Sequence, residues 1–122
     1  MAKKTILIIE DDPDTQAVYK DLLSDEYTLI QAYDAIVGAA ALKKNKKIDI
    51  IVLDIMMPKK TGDEFLKEIR QNPRYKTIPV ICVTVVAEIE QKIIKIDPTV
   101  TFIPKPFRIG ELLAEIKKKL KE

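Results

Sequence analysis

Four apolar runs of the chain are each followed by polar side chains that could take part in binding or catalysis. These side chains are Glu10, Asp11, Asp54, Thr84 and Lys105. Neighbouring carboxylates repel each other unless a cation lies among them, and hard oxygen ligands suit Mg²⁺, which shares its shell with phosphate. A hydroxyl and an ammonium suit phosphate oxygens, and a carboxylate can itself be the nucleophile. If the fold brings these groups together, they predict metal-assisted phosphoryl transfer to a carboxylate.

The composition excludes several other kinds of chemistry. The chain contains no histidine, which removes Ser-His-Asp and Cys-His catalysis and histidine-ligated zinc. Its net charge of +2 gives no strong footprint for nucleic acid or anionic lipid, and its apolar runs are too short to span a bilayer. The single Cys82 excludes a disulfide framework, and residues 1–4 carry no secretion signal. We therefore expect a cytoplasmic protein that contacts neither nucleic acid nor membrane directly.

The polar side chains follow short apolar runs that alternate with helix-like segments five times. The runs are Thr5–Ile9, Tyr27–Ala32, Ile48–Leu53, Val80–Val83 and Thr101–Ile103. Nearly continuous Ile, Leu and Val is typical of parallel strands that are covered on both faces. Five strand–helix units in succession predict a doubly wound α/β sheet with right-handed crossovers. Because ligands collect at the carboxyl ends of such strands, the polar side chains are expected at one edge.

The segments between the runs have helical spacing of their apolar residues. Pro13 can open the first helix, with Asp12 as its N-cap, and that helix carries Ala17, Val18, Leu22 and Leu23. The second is expected around Ile36–Ala41, closed by the polar run Lys43–Lys47. The third is expected to end before Pro73 and the fourth before Pro98. The clearest stripe is in the fifth helix: Ile109, Leu112, Leu113, Ile116 and Leu120.

Four stretches of the sequence resemble the response regulator receiver family in order, spacing and flanking apolar runs. They are ILIIEDDPD, DIIVLDIMMP followed by TG, IPVICVT and FIPKPF. The resemblance covers essentially the whole chain, so residues 1–122 are expected to form one receiver domain. It implies a flavodoxin-like (βα)5 three-layer sandwich, with a five-stranded parallel sheet in the strand order 2-1-3-4-5. It also implies a signalling domain of a two-component system rather than a metabolic enzyme.

The resemblance assigns a role to each matching residue. Asp54 would be the phosphoacceptor, and Mg²⁺ (or Mn²⁺) would be held by Asp54 together with Glu10, Asp11 and the backbone carbonyl of Met56. The remaining matching residues are Thr84, which would hydrogen-bond a phosphoryl oxygen, Lys105, which would pair with the phosphoryl group, and Phe102, which occupies the aromatic switch position. Pro106 completes a Lys-Pro pair that is often joined by a cis peptide bond in the family.

The resemblance also implies partners. A sensor histidine kinase or a histidine phosphotransfer protein would meet the first helix, Pro13–Ser24, and the loop after the last strand. An unknown downstream protein would bind the face formed by the fourth helix, the last strand and the fifth helix. The domain is expected to be a monomer, with dimerisation on activation as the alternative.

Several residues depart from the family pattern. Val85 stands where a small residue is usual, which would narrow access to Asp54. The segment Asp97–Thr99 replaces the usual Gly-Ala, which puts the fourth helix in doubt. Met56 and Val86 border the expected path of a hydrolytic water and cannot orient it, so we expect slow loss of phosphate.

Three other readings of the sequence stay open. A degenerate receiver would keep the fold as a protein-binding module without being phosphorylated, and Val85 favours it. A phosphohydrolase with an aspartyl nucleophile would need a second Asp two residues after the first, where this chain has Met56. A DNA-binding regulator would need a further domain, so the chain is either a stand-alone receiver or part of a longer protein.

Overall fold

The computed structural model describes residues 3–45 and 47–122, so Met1, Ala2 and Lys46 lie outside the described residues. Within these described residues, five strands alternate with five helices. The strands are β1 Thr5–Ile9, β2 Thr28–Ala32, β3 Ile50–Asp54, β4 Val80–Thr84 and β5 Thr101–Pro104. The helices are α1 Pro13–Leu23, α2 Ala35–Lys44, α3 Gly62–Arg70, α4 Glu90–Ile96 and α5 Ile109–Leu120, with a 3₁₀ turn at Ala87–Ile89 before α4.

The strands form one parallel sheet in the order β2-β1-β3-β4-β5, which confirms the predicted topology. Every residue of β3 and β4 is buried, as their near-continuous aliphatic sequences predict. One core layer lies between the sheet and α2, α3 and α4, around Leu7, Leu53 and Phe65. The other lies between the sheet and α1 and α5, around Ile8 and Leu112. Among the described residues, no helix is long and apolar enough to cross a membrane.

The buried face of α1 differs from the apolar stripe in its sequence. Asp12 caps the helix, because its carboxylate accepts a hydrogen bond from the backbone N–H of Thr15 at 3.3 Å. The buried residues, however, are Gln16, Tyr19 and Leu23, whereas Val18 and Leu22 are 51% and 46% exposed. The stripe therefore predicts the helix correctly but not the side that packs on the sheet. A polar residue, Gln16, occupies a core position because it has hydrogen-bond partners there.

The departure at Asp97–Thr99 does not remove the fourth helix. Asp97 accepts hydrogen bonds from the backbone N–H and hydroxyl of Thr99 at 2.9 and 2.6 Å. Its other oxygen pairs with Arg70 Nε at 2.6 Å, and the same guanidinium donates to the carbonyls of Tyr75 and Ile78. Burial alone would raise the pKa of Asp97, but the bonds from Thr99 and Arg70 lower it below its usual value. The segment thus closes α4 and fastens its end to α3.

Candidate functional site

The acidic residues meet at the carboxyl edge of the sheet, where β1 and β3 lie side by side. Glu10 and Asp11 directly follow β1, and Asp54 is the last residue of β3. One carboxylate oxygen from each of the three lies within 4.8 Å of the others, which is close enough for all three to contact one metal ion. Glu10 and Asp54 are only 2% and 4% exposed, and Asp11 is more accessible. The structure therefore brings together the three carboxylates that the sequence singles out.

Lys105 reaches the same cluster from the end of β5, the edge strand beyond β4. It follows β5, and its backbone N–H donates to the carbonyl of Thr84 at 2.7 Å, which extends the pairing of β4 and β5 to the site. Its Nζ lies 2.6 Å from Glu10 Oε1 and 3.7 Å from Asp54 Oδ2. The ammonium thus contacts both buried carboxylates. The peptide bond between Lys105 and Pro106 is cis, as the Lys-Pro pair predicts.

The Asp54 carboxylate is fixed by the turn that follows it. The backbone N–H of Met56 donates to Asp54 Oδ1 at 3.3 Å. The turn then brings Gly62, the first residue of α3, against the strand end, where its N–H donates to the carbonyl of Ile55 at 2.9 Å. A Cβ on Gly62 would lie 2.4 Å from the carbonyl oxygen of Asp54, so only glycine allows this approach. The backbone around Asp54 is therefore closely packed.

The start of α3 is secured by a capping box. The Glu64 carboxylate accepts hydrogen bonds from the backbone N–H and the hydroxyl of Thr61, at 3.4 and 2.8 Å. Thr61 thus supports the helix whose first residue, Gly62, packs against the backbone of Asp54.

The cluster carries an excess of negative charge. Three carboxylates and one ammonium have a net charge of −2 when all are ionised. Burial and the neighbouring Glu10 carboxylate raise the pKa of Asp54 to about 7, although Lys105 opposes the rise. Burial would also raise the pKa of Glu10, but hydrogen bonds from Lys105 and the backbone N–H of Asp12 outweigh it and lower that pKa. This imbalance is the electrostatic condition that a divalent cation relieves.

Among the described residues, the side chains of Thr84 and Phe102 form no hydrogen bond with the carboxylates or the ammonium of the cluster. Thr84, the last residue of β4, is fully buried, and its hydroxyl accepts a hydrogen bond from the backbone N–H of Val86 at 3.2 Å. Phe102 is paired with Cys82 in the sheet and is partly buried against the core layer of α2, α3 and α4. The side chains of Met56 and Val85 are 49% and 69% exposed. Val85 therefore projects largely into solvent.

Sequence reasoning missed two buried polar residues on α1. The side-chain amide of Gln16 donates to the backbone carbonyl of Glu10 at 3.1 Å, directly behind the cluster. The hydroxyl of Tyr19 is buried without a hydrogen-bond partner among the described residues, and burial together with the charges of Glu10 and Asp54 raises its pKa. Both side chains lie on the helix face at a spacing of three residues. Such a polar pair among apolar residues is the signal that could have revealed them.

Comparison with known proteins assigns the family. The response regulator receiver domain family matches residues 6–117, which is nearly the whole chain. The chain therefore belongs to the response regulator receiver domains, the signalling domains of two-component systems.

Three similar proteins illustrate the range of the family. Hybrid signal transduction histidine kinase D of Dictyostelium discoideum is 32% identical over 117 residues, which cover 93% of this chain and 7% of the kinase. DNA-binding dual master transcriptional regulator RpaA of Synechocystis is 36% identical over 114 residues, covering 92% of this chain and 47% of the regulator. The crystal structure of response regulator TrrA from Thermotoga maritima, in complex with Mg²⁺-BeF, has a TM-score of 0.84. It is 27% identical, and the match covers 96% of this chain and 99% of TrrA.

This chain spans less than half the length of the kinase and the regulator. The sequence identity thus concerns the receiver domain that they share with it.

Proposed function

We propose that this domain accepts a phosphoryl group on Asp54 from a phosphohistidine of a sensor kinase or phosphotransfer protein, and that this modification switches a protein-binding surface. The observation that carries the proposal is the meeting of Asp54 with Glu10, Asp11 and Lys105 at one strand edge. Several buried carboxylates with only one ammonium beside them destabilise the fold. Such a cluster therefore indicates a site that binds a ligand. The membership of the receiver family supports the same function.

The proposed reaction is an in-line displacement at phosphorus. An oxygen of Asp54 attacks the phosphorus of phosphohistidine, a P–O bond forms, and the P–N bond breaks as the imidazole leaves with its electron pair. Lys105 pairs with the phosphoryl oxygens, and the hydroxyl of Thr84 donates a hydrogen bond to one of them. The backbone N–H of Met56 holds Oδ1 of Asp54, whereas Lys105 lies nearer Oδ2.

The donor set fits a divalent metal ion. The ligands would be oxygens of Glu10, Asp11 and Asp54 and the backbone carbonyl of Met56, with Glu10 acting directly or through a water. All are hard oxygen donors, which suit Mg²⁺ or Mn²⁺. When bound, the ion neutralises the charge that gathers on the transferring phosphoryl group. The crystal structure of TrrA, a similar protein, is of a complex with Mg²⁺-BeF, and it supports the assignment.

The proposed output is a change of protein contacts. Phosphorylation would draw Thr84 towards the phosphoryl group and would change the position of Phe102, three residues before Lys105. The affected face comprises α4, β5 and α5. A downstream protein would bind that face, and self-association through it is the alternative.

Intact mass spectrometry tests the proposal. The protein is incubated with Mg²⁺ and phosphoramidate or acetyl phosphate, beside an Asp54→Asn variant and a sample with EDTA. We expect one phosphoryl adduct on the wild type and none in either control. Absence of the adduct from a folded wild type with both donors would contradict the proposal and favour the degenerate receiver, and Val85→Ala would then test whether access limits the reaction.

A further inference from the structure

Gln16 is a buried polar residue of α1 whose hydrogen bonds converge on the end of β1. It is 1% exposed. Its side-chain nitrogen lies 3.3, 3.1 and 3.0 Å from the backbone carbonyl oxygens of Ile8, Glu10 and Ala32, so its two N–H groups are shared among three acceptors. One amide group thus links the carboxyl ends of β1 and β2, next to the acidic residues that follow β1.

A second glutamine fixes the orientation of this amide. Gln31 on β2 donates from its side-chain nitrogen to Gln16 Oε1 and to the backbone carbonyl of Gln16, both at 2.7 Å. If the Gln16 amide were turned over, its oxygen would face three carbonyl oxygens and its nitrogen would face a donor. The network is therefore consistent in one orientation only, and it connects α1, β1 and β2.

Both backbone polar groups of Glu10, its N–H and its carbonyl, are hydrogen-bonded. Its N–H donates to the carbonyl of Ala32 at 3.0 Å, and its own carbonyl accepts from Gln16. The carboxylates of Glu10 and Asp11 extend from this short piece of backbone. Metal affinity is higher when the ligand atoms already lie in the binding geometry in the metal-free protein. A group that fixes the backbone of the ligand residues therefore contributes to affinity without contacting the ion.

We propose that Gln16 is a positioning residue for the metal site: through the backbone of Glu10 it sets the positions of the Glu10 and Asp11 carboxylates and thereby the affinity for Mg²⁺. The proposal rests on the function proposed above, and it adds a determinant of that site which lies outside the acidic cluster. Substitution of an ordinary core residue would lower the stability of the fold and leave Mg²⁺ affinity unchanged, whereas substitution of Gln16 should lower both.

Calorimetric Mg²⁺ titration of wild type and Gln16→Met tests this inference, because methionine keeps the length of the side chain and removes the amide. We expect Mg²⁺ to bind Gln16→Met about tenfold more weakly, the lower end of the effect of removing an outer-shell partner. At saturating Mg²⁺ its phosphorylation by phosphoramidate should return to the wild-type rate, since every ligand atom remains. Urea unfolding of each variant measures the accompanying loss of stability.

Tyr27→Phe is the matched control. It removes one part-buried hydrogen bond from the same core layer at the opposite, amino-terminal edge of the sheet, where the Tyr27 hydroxyl donates to Glu122 at 2.9 Å. We expect it to lower stability and leave Mg²⁺ affinity unchanged. Gln31→Leu, which removes the group that orients Gln16, should weaken Mg²⁺ binding in the same direction, and it replaces Gln16→Met if that variant fails to fold.

The outcomes separate this inference from the proposed function. Wild-type Mg²⁺ affinity in Gln16→Met, or in Gln31→Leu where that variant replaces it, would overturn the positioning role and leave the function proposed for Asp54 intact. Failure of the wild type itself to bind Mg²⁺ would overturn both.

Discussion

The Nζ atom of Lys105 lies 2.6 Å from Glu10 Oε1 but 3.7 Å from Asp54 Oδ2, so the ammonium is bound chiefly by Glu10. The expected acceptor is thus the less closely paired of the two buried carboxylates. If Lys105 pairs with a phosphoryl group on Asp54, we expect the ammonium to shift from Glu10 towards Asp54. A cation bound by the carboxylates would compensate Glu10 for that loss, which links metal binding to the release of Lys105.

Replacement of Lys105 by Met should destabilise the metal-free protein. Glu10 would remain buried without its cationic partner, and we expect the free energy of unfolding in EDTA to fall by about 3 kcal/mol. Addition of Mg²⁺ should recover part of that loss. Urea unfolding measures both values. The control is Lys117→Met, which breaks an exposed pair with Glu26 and should cost less than about 1 kcal/mol. An equal fall in the free energy of unfolding in the two variants would show that the Lys105 pair stabilises the fold no more than an exposed pair.

Asp54 should make the stability of the metal-free protein depend on pH. Its pKa is raised from an ordinary value near 3.8 to about 7, chiefly by burial, so the folded state favours the protonated form. Its contribution therefore becomes less favourable as the pH rises from about 4 to about 7 and is constant above that. Asp54→Asn should raise the free energy of unfolding by about 2 kcal/mol at pH 8 in EDTA, and by little at pH 4. A constant difference across this range would contradict the raised pKa.

Two apolar residues beside the site should slow the loss of phosphate. Met56 is half exposed and Val86 half buried, and neither side chain can orient an attacking water. We expect Met56→Asn combined with Val86→Glu to speed decay of the phosphoryl adduct about tenfold, by intact mass over time. Tyr33→Asn, an exposed change outside the cluster, is the control. An unchanged decay rate in the double variant would show that water orientation at these positions does not limit hydrolysis.

The ion pair of Arg70 and Asp97 should hold α4 in place. Both side chains are largely buried, and the pair joins the end of α3 to the end of α4. Arg70→Met should lower the free energy of unfolding by about 3 kcal/mol and should speed amide hydrogen exchange in α4 more than in α5. Lys60→Met, which breaks a more exposed pair with Glu68, should do neither. Uniform acceleration across the protein would indicate global destabilisation instead of release of α4.

The sequence predicts the sheet well because buried parallel strands have a simple signature. The run Val80–Val83 differs from β4 only by the addition of Thr84, and the strand order is confirmed. Those strand ends also bring the three carboxylates together, since residues that follow parallel strands share one edge. The position of Lys105 between two prolines fits the loop that the structure has there.

The sequence predicts less where long-range contacts decide. The burial of Gln16 depends on backbone carbonyls at the ends of β1 and β2. Those of Glu10 and Ala32 lie 6 and 16 residues from it in the chain. The closure of α4 by Asp97 depends on Arg70, 27 residues earlier. A local pattern carries no information about such partners. The roles of Thr84 and Phe102 in switching stay predictions, because they concern a change between two states.

The most direct test of the central claim is to locate the phosphoryl group. After reaction with phosphoramidate and Mg²⁺, borohydride reduces an aspartyl phosphate to homoserine, and peptide mass spectrometry identifies the reduced position. The account predicts homoserine at Asp54, at no other carboxylate, and only when Mg²⁺ is present. Reduction at another residue such as Asp11 or Asp12, or no reduced residue in a folded protein, would contradict it.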